Sequence, residues 1–336
     1  MNRKYWIDML RGAAIILIVI GHFFQGYSLT CYIYIFHVPL FFVISGLCYN
    51  NNNYEYEIKD FLFKKLKTLI IPYFSFGVII VPMAFILEND LSILGFIKVL
   101  AWYFIQRRYT TMWFLTTLFG VEITFFLIHK ASFACKLRGH WNVKLMTVFV
   151  SMVLSVIFIA YESFINISMP WNIDLSMVCL GFYCVGYMLQ SSETYTTEYL
   201  NTSRYLFVGI ITFILGMWLG IYSLNMTSKR LDLFYGQMGM PVIGILGAVF
   251  CCIGLVYVFC SLHRIRFIEN IGCHTMTIFA LHQMLFKQLF LRVFQFHGGI
   301  MLLVASIITI TICFYIDVWV SKSSFKWLVG REEKCL

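Results

Sequence analysis

The chain has 336 residues, of which 60% are hydrophobic and 12% are charged, and its formal net charge is +9. Soluble domains carry about twice that share of charged residues, so the composition excludes an ordinary soluble protein. The apolar residues form runs of about 17 to 23 residues, the length at which an α-helix crosses a bilayer. These runs lack the short alternating pattern of a membrane β-barrel. We therefore predict an all-α, polytopic transmembrane helical bundle that forms one domain over residues 1–336.

Ten spans are predicted, in chain order at 9–27, 32–50, 69–87, 111–129, 145–161, 174–190, 205–223, 241–260, 271–292 and 299–320. The apolar segment 91–105 is shorter. If it does not cross, most of the 25 Lys and Arg residues lie on one side, including Arg3, Arg138, Arg331 and Lys334. Short cytoplasmic loops collect basic residues, so we expect 91–105 to be re-entrant or interfacial and both termini to be cytoplasmic. The net charge then reflects orientation and contact with anionic lipid, and no nucleic-acid partner is expected.

The first span carries three polar residues, Asp8, Arg11 and His22. A helix advances about 100° and 1.5 Å per residue, so Arg11 and His22 lie about 20° apart around the axis and about 16 Å apart along it. Asp8 shares this face and is close enough to pair with Arg11. Ionisable residues at membrane depth usually face the bundle interior or a cavity. The alternative is that Arg11 reaches the headgroups and His22 is a packed neutral residue.

The second span adds a histidine at the depth of the first. His37 lies about as far below the outer boundary as His22 does, and a short connection joins the two helices. Pro39, Ser45 and Gly46 allow the second helix to break or to approach a neighbour closely. The two imidazoles therefore indicate a site between these helices.

A third histidine and a carboxylate lie in other predicted spans. His282 is near the middle of the ninth span, and Glu122, in the fourth, is expected at comparable depth. Three imidazoles and a carboxylate inside the bilayer indicate polar chemistry in an enclosed bundle.

A basic cluster, Lys64, Lys65 and Lys67, precedes the third span. Such a cluster can set topology and contact lipid headgroups. With Arg11 nearby, it can instead bind a polyanion such as a nucleotide diphosphate. The residues alone leave both interpretations open.

Five segments of the chain form a recognisable set. They are Asp-x-x-Arg-Gly at 8–12 followed by His22, FHVPLFFVISG at 36–46, KKLKTLIIPY at 64–73, MWFL at 112–115 and IGCHTMTIFALHQ at 271–283. Their order and the spacing from Arg11 to His22 resemble the acyltransferase-3 family of integral membrane proteins. The resemblance covers almost the whole chain.

This resemblance implies a membrane-bound O-acyltransferase of the bacterial inner membrane. Such an enzyme moves an acetyl group from cytoplasmic acetyl-CoA to a hydroxyl of a cell-surface glycan, such as exopolysaccharide, capsule or O-antigen. It implies catalytic roles for Arg11 and His22, to which we add His37 for its position. The residues expected to bind acetyl-CoA are Arg11, Lys64, Lys65 and Lys67. No metal cofactor is expected.

The chemistry of acyl transfer fits a buried histidine. A sugar hydroxyl is a weak nucleophile near neutral pH, so a neutral imidazole must remove its proton as it attacks the thioester. Burial disfavours the charged imidazolium and keeps the base neutral. His22 can act directly on the hydroxyl, or it can first accept the acetyl group and pass it on. The sequence leaves both routes open.

One motif departs from the family pattern. Some members carry Trp-Ser-Leu-x-x-Glu, whereas here Trp113 is followed by Phe-Leu-Thr-Thr-Leu, and the nearest acid, Glu122, lies one turn beyond the expected position. The chain thus resembles the subgroup that includes polysaccharide exporters. The alternative function is therefore export or transport of a polysaccharide or small solute by the same fold without CoA chemistry. A membrane sensing domain is a more distant alternative.

The acceptor is expected to enter from the outer side. Arg107 and Arg108 follow the interfacial segment and precede Trp113. Lipid-linked glycans bring phosphates that an arginine can bind through two hydrogen bonds. The alternative is that both arginines only end an interfacial helix at the headgroups. The residues expected to bind the acceptor are Trp113, Arg107, Arg108, Glu122, His282 and Ser45.

Overall fold

A computed structural model describes residues 4–87, 91–136, 142–190 and 202–330. These residues are largely helical and contain no β-strand beyond one isolated bridge between Asp232 and Gln237. Four basic residues used for the predicted topology, Arg3, Arg138, Arg331 and Lys334, lie outside the described residues.

The helices are, in chain order, α1 (Tyr5–Phe23), α2 (Ser28–Tyr34), α3 (His37–Leu47), α4 (Ile58–Lys65), α5 (Ile71–Leu87), α6 (Ile93–Ile105), α7 (Trp113–Lys136), α8 (Val143–Phe164), α9 (Ile173–Leu189), α10 (Thr202–Thr227), α11 (Pro241–Cys260), α12 (Arg266–Cys273), α13 (Thr275–Leu281) and α14 (Gly299–Lys322). Counting α2–α3 and α4–α5 as one span each, the described residues contain 9 helical segments long and apolar enough to cross a membrane. The predicted polytopic helical bundle is confirmed.

The ninth predicted span, 271–292, is an interrupted helix. It consists of the end of α12, then α13, then two wide π turns at His282–Lys287 and Leu289–Val293. Gly272 packs against the backbone of Asp8 near the start of α1. At the other end, the ring of Phe290 lies 6.3 Å from that of Phe23, centroid to centroid. The segment therefore runs the length of α1 in the same direction, although no continuous helix covers it.

The segment predicted not to cross, 91–105, forms the 13-residue helix α6. At about 1.5 Å per residue it is about 20 Å long, too short for a hydrocarbon core of about 30 Å. Ser92 begins it, because its hydroxyl accepts a hydrogen bond from the amide of Gly95 at 2.9 Å. Tyr73 and Tyr103, whose rings stack at 4.6 Å, hold α6 against α5.

The second predicted span is broken into α2 and α3. Proline lacks an amide hydrogen, and its ring clashes with the carbonyl four residues earlier in a helix. For Pro39 that residue is Ile35, and the break falls at Ile35 and Phe36, where Phe36 has φ −135°. His37 is consequently the first residue of α3.

Glycines allow two pairs of helices to cross with their backbones in contact. Gly12 and Gly272 face the opposite backbone where α1 meets α12, and Gly46 and Gly186 do so where α3 meets α9. A side chain at any of these four positions would overlap the backbone of the neighbouring helix. These crossings fix α1 and α3, which carry the histidines of the first two spans.

The bundle has two chemically different ends. At one end, the basic end, Arg11 contacts Cys48 and Lys65 pairs with Glu122. At the opposite end, the far end, Arg108 lies beside the loop that contains Gly236. The described C-terminal residue, Gly330, lies against Thr68 and is therefore at the basic end.

The α1–α12 crossing gives a test of the fold. In Gly272→Ala the added methyl group would overlap the carbonyl oxygen of Asp8, so the helices must move apart. We expect a lower melting temperature in detergent, equivalent to roughly 1–3 kcal/mol for overpacking. Gly299→Ala is the control, because the nearest atom to its methyl group is in the ring of Phe24 at 3.9 Å. Equal melting temperatures for the two variants would contradict this crossing.

Candidate active site

A central cavity of about 510 Å³ runs through the bundle. Its wall comes from α1, α2, α3, α5, α7 and α13, from the π turns at Leu66–Ile70 and His282–Lys287, from the turn at 109–111 and from the loop that joins α10 to α11. At the basic end it is lined by Arg11 and Ser45, and at the far end by Gln25, Trp113 and residues 230–235. The face of α1 predicted from helical geometry therefore does point into an internal cavity.

Three histidines meet in the middle of this cavity. The ring of half-buried His22 lies 5.0 Å from that of His282, centroid to centroid. Tyr34 stands between the other pair: its ring is 4.4 Å from that of His37, and its hydroxyl is 3.4 Å from Nδ1 of His22. His22, His37 and His282 come from three separate spans. The sequence placed His22 and His37 at one depth and His282 near mid-membrane, and the structure brings all three together.

Hydrogen bonds define the orientation of two of the imidazoles. Nδ1 of His37 lies 3.0 Å from the carbonyl oxygen of Ile33, and Nδ1 of His282 lies 3.0 Å from that of Ile278. A carbonyl only accepts, so Nδ1 carries the hydrogen in both rings, and in a neutral ring Nε2 then carries a lone pair. Nε2 of His282 is buried and has no partner among the described residues. Both rings are therefore set up to accept a proton or a hydroxyl hydrogen.

The loop between α10 and α11 contributes two charged residues that the sequence interpretation missed. Arg230 lies over the ring of Tyr34, with its guanidinium carbon 4.0 Å from the ring centroid. Its Nε and Nη2 donate to Oδ2 of Asp232 at 3.0 and 2.7 Å. Burial raises the pKa of the Asp232 carboxyl above its usual value, against the opposing effect of the Arg230 charge. Both residues line the cavity.

A second cavity, of about 250 Å³, lies at the basic end. Arg11 and Ser45 line both cavities, so the second one leads towards the histidines. Lys64 and Lys65 line it as well, whereas Lys67 lines neither cavity and lies over the ring of Phe63 at 4.4 Å. The structure thus brings together three of the four cations predicted to bind acetyl-CoA.

Arg11 is held by neighbours at the entrance to the central cavity. Its Nη1 donates to Oδ1 of Asp8 at 3.2 Å, and its Nη2 contacts the sulfur of Cys48 at 3.2 Å. The predicted Asp8–Arg11 pair is therefore present. Ser45 also lies here, and its hydroxyl donates to the carbonyl oxygen of Phe41 at 2.9 Å.

Comparison with known families decides the class of protein. The model of the acyltransferase domain family, acyltransferase 3, matches residues 4–318. The chain belongs to the acyltransferase-3 family. It is an integral membrane acyltransferase, and the matched range contains every residue of both cavities. No curated protein and no solved structure matches the chain significantly.

In this acyltransferase Glu122 does not lie at the depth of His282, and that prediction is wrong. Its Oε2 pairs with Nζ of Lys65 at 2.6 Å, and Glu122 lines the basic-end cavity only. The predicted depth assumed a straight fourth span starting at 111 and a regular span around His282. A buried charge requires a partner. The carboxylate of Glu122 therefore lies at the basic end of the bundle, where it pairs with Lys65. Glu122 is thus remote from the far end, where the acceptor was expected.

Arg107 and Arg108 also differ from the prediction, since neither lines the acyltransferase cavity. Arg107 is exposed. Arg108 turns away and places Nη2 2.6 Å from Glu162 and 2.5 Å from Asp174, both of which are buried. Two carboxylates inside the far end require a cation, and Arg108 supplies it. Trp113 does line the cavity.

The two adjacent arginines provide a matched test. Arg108→Ala would leave the Glu162 and Asp174 carboxylates buried without their cation, which costs roughly 3–5 kcal/mol when one partner of a buried pair is removed. We expect a large drop in the melting temperature of the purified acyltransferase. Arg107→Ala, the exposed control, should change it little. We call Arg108, Glu162 and Asp174 the Arg108 cluster. Similar melting temperatures for the two variants would show that this cluster does not stabilise the fold.

Proposed function

We propose that this protein is an O-acetyltransferase that moves an acetyl group from acetyl-CoA, entering at the basic end, to a hydroxyl of a cell-surface glycan at the far end. In this proposal the basic end faces the cytoplasm and the protein lies in the bacterial inner membrane. One observation supports it above the others. A single cavity begins at Arg11, passes His22 and ends among aromatic residues at the far end.

The basic end fits the donor. Coenzyme A carries several phosphates, and arginine and lysine bind phosphate through charge-assisted hydrogen bonds. Lys64 has no carboxylate within 4.0 Å among the described residues, and its ammonium lies over the ring of Tyr56. Lys65 is paired with Glu122, so a phosphate there would share that cation. Arg11 stands where the two cavities meet, beside the path of a thiol-bearing arm towards His22.

The histidine cluster fits base-assisted acyl transfer. In the proposed step the acceptor hydroxyl oxygen bonds to the acetyl carbonyl carbon, the carbon–sulfur bond breaks, and the acetyl group leaves the thioester for the sugar. His22 takes the hydroxyl proton as the carbon–oxygen bond forms and returns it to the departing thiolate. For Nε2 of His22 to be the base, its Nδ1–H must donate to the hydroxyl of Tyr34, which lies 3.4 Å away.

His37 and His282 assist from either side. With Nδ1–H held by backbone carbonyls, each presents the Nε2 lone pair to a hydroxyl or to the proton released from it. The transfer proposed is direct, because one cavity joins the entrance at Arg11 to His22 and no carrier residue is required between them.

Replacing the central histidine tests the reaction. In His22→Ala the base is lost, and we expect acetyl transfer from labelled acetyl-CoA to glycan to fall by about 10²–10⁴-fold, the usual contribution of such a group. His263→Ala serves as the control, because His263 is exposed and lines neither cavity. Near-normal glycan acetylation by a well-folded His22→Ala enzyme would rule out His22 as the base.

Replacing the cations tests the donor site. Arg11→Ala and Lys64→Ala should weaken binding of acetyl-CoA, measured by calorimetry on the purified protein, and the wild-type affinity should fall with added salt. Arg11→Lys should restore binding only in part, because lysine lacks the planar fork. Lys67→Ala is the matched control on the same segment. If acetyl-CoA does not bind the wild-type protein, export without CoA chemistry becomes the better account.

A further inference from the structure

The loop between α10 and α11 folds back into the bundle at the far end. Leu231 and Leu233 are buried on either side of Asp232, which is only 5% exposed. Asp232 forms a two-residue bridge with Gln237, and the amide of Met240 donates to the hydroxyl of Ser223 at 2.8 Å. An internal bridge and a bond back to α10 thus hold the loop, which keeps its polar residues in place in the cavity.

The Arg108 cluster supports this loop from outside the cavity. Gly236 has φ +64°, which favours glycine, and a side chain there would meet the guanidinium of Arg108 and the carboxylate of Glu162 at 2.5 Å. The loop therefore rests directly on a buried ion cluster. This contact gives Arg108 a role at the far end although it does not face the cavity.

Arg230 lines the cavity and has hydrogen-bond donors that the protein does not use. Its Nε and Nη2 both bind one oxygen of Asp232, and its Nη1 has no protein partner in the described part of the chain. The guanidinium lies over the ring of Tyr34 and is tied to Asp232 through its Nε and Nη2. A planar group fixed in this way keeps its remaining N–H donors in a constant direction.

Aromatic residues surround this pair. Trp113, Phe234, Tyr235 and Tyr109 line the same end of the cavity, and the rings of Trp113 and Phe234 lie 6.0 Å apart. Aromatic walls with a few fixed polar groups are typical of small-molecule sites. The C–H faces of a sugar ring pack on aromatic rings, while each sugar hydroxyl can both donate and accept a hydrogen bond.

The charges favour a neutral ligand. The described residues that line the central cavity include three charged ones, Arg11, Arg230 and Asp232. Arg11 is at the basic end, and at the far end the charges of Arg230 and Asp232 cancel. Lys287 is nearby, but it donates to Gln25 and does not line the cavity. A carboxylate or phosphate would therefore have to compete with Asp232 for Arg230, whereas a hydroxyl would not.

We propose that Arg230 and Asp232 are the acceptor-binding pair, and that they bind neighbouring hydroxyls of a neutral sugar. One hydroxyl accepts from Arg230, another donates to the carboxylate of Asp232, and the ring packs against Trp113 and Phe234. Because Arg230 lies on Tyr34, and Tyr34 contacts His22, a sugar held there has a further hydroxyl directed towards the base. This proposal rests on the proposed acetyl transfer for its consequence, but the sugar binding can be measured without it.

The experiment measures sugar binding to the full-length protein in detergent by saturation-transfer NMR. The probes are neutral trisaccharides of glucose, galactose, mannose, rhamnose and N-acetylglucosamine, with trigalacturonate as the anionic comparison. The variants are Arg230→Lys, Arg230→Gln and Asp232→Asn. Arg264→Gln is the matched control, since Arg264 makes a comparable two-bond pair with Glu269 outside the cavity. Melting temperatures show whether each variant is folded.

We expect wild type and Arg264→Gln to bind at least one neutral trisaccharide, and Asp232→Asn and Arg230→Gln to bind it at least about tenfold more weakly, as for loss of a hydrogen bond to a charged group. Arg230→Lys, which keeps the charge without the fork, should be intermediate. In acetyl-transfer assays the same variants should raise KM for the sugar and leave KM for acetyl-CoA unchanged.

Three results would overturn the proposal. They are equal neutral-sugar binding by wild type and the folded variants, binding of trigalacturonate alone, and no binding of any neutral probe by wild type. Sugar binding that depends on Arg230 and Asp232 without any acetyl transfer would support the acceptor pair and contradict the proposed reaction. Acetyl transfer with an unchanged sugar KM in Asp232→Asn would support the proposed reaction and contradict the acceptor pair.

Discussion

The rest of the structure depends on how polar groups are satisfied inside an apolar bundle. A buried donor or acceptor without a partner costs free energy, so irregular backbone occurs at membrane depth only where it is covered or lines a cavity. In this protein two of the helix irregularities lie at histidines. His37 begins α3 directly after the break that Pro39 imposes, and His282 begins a π turn. At both places a carbonyl four residues earlier accepts the Nδ1–H and leaves Nε2 facing the interior.

This arrangement relates the two ends of the bundle to one reaction centre. Cations at the basic end are separated from Arg230 and Asp232 at the far end by the histidine cluster, and one cavity joins all three. The glycine crossings keep α1, which carries His22, against α12, and α3, which carries His37, against α9. Such fixed placement is what a reaction between two bound substrates requires.

The local geometry of the site follows from the sequence, whereas its long-range contacts do not. Helical spacing placed Arg11 and His22 on one face, and proline chemistry anticipated a break near His37, because both depend on neighbouring residues. The depth of Glu122 could not be obtained in this way, since its partner Lys65 lies 57 residues away in the chain. Arg108 faces two carboxylates from α8 and α9, which periodicity cannot locate.

Arg230 and Asp232 were missed for a related reason. They lie in a loop, and a loop at a membrane surface is normally taken to face water. The signal available in the sequence was the alternation of apolar and charged residues at 230–234, Arg-Leu-Asp-Leu-Phe, within a segment between two spans. Apolar residues at 231, 233 and 234 indicate that this loop is packed against protein, and the charges between them then require partners.

In the proposed reaction, donor and acceptor enter the same cavity from opposite ends. Reconstitution into sealed liposomes tests it, because acetyl-CoA and a neutral trisaccharide do not cross the lipid. With labelled acetyl-CoA inside and the trisaccharides outside, the molecules whose basic end faces the interior of the liposome can react. With both substrates only on the outside, each molecule can bind one substrate but not the other, so none can react. We predict acetylated sugar in the first arrangement and none in the second. Equal acetylation when both substrates are on one side would contradict the account.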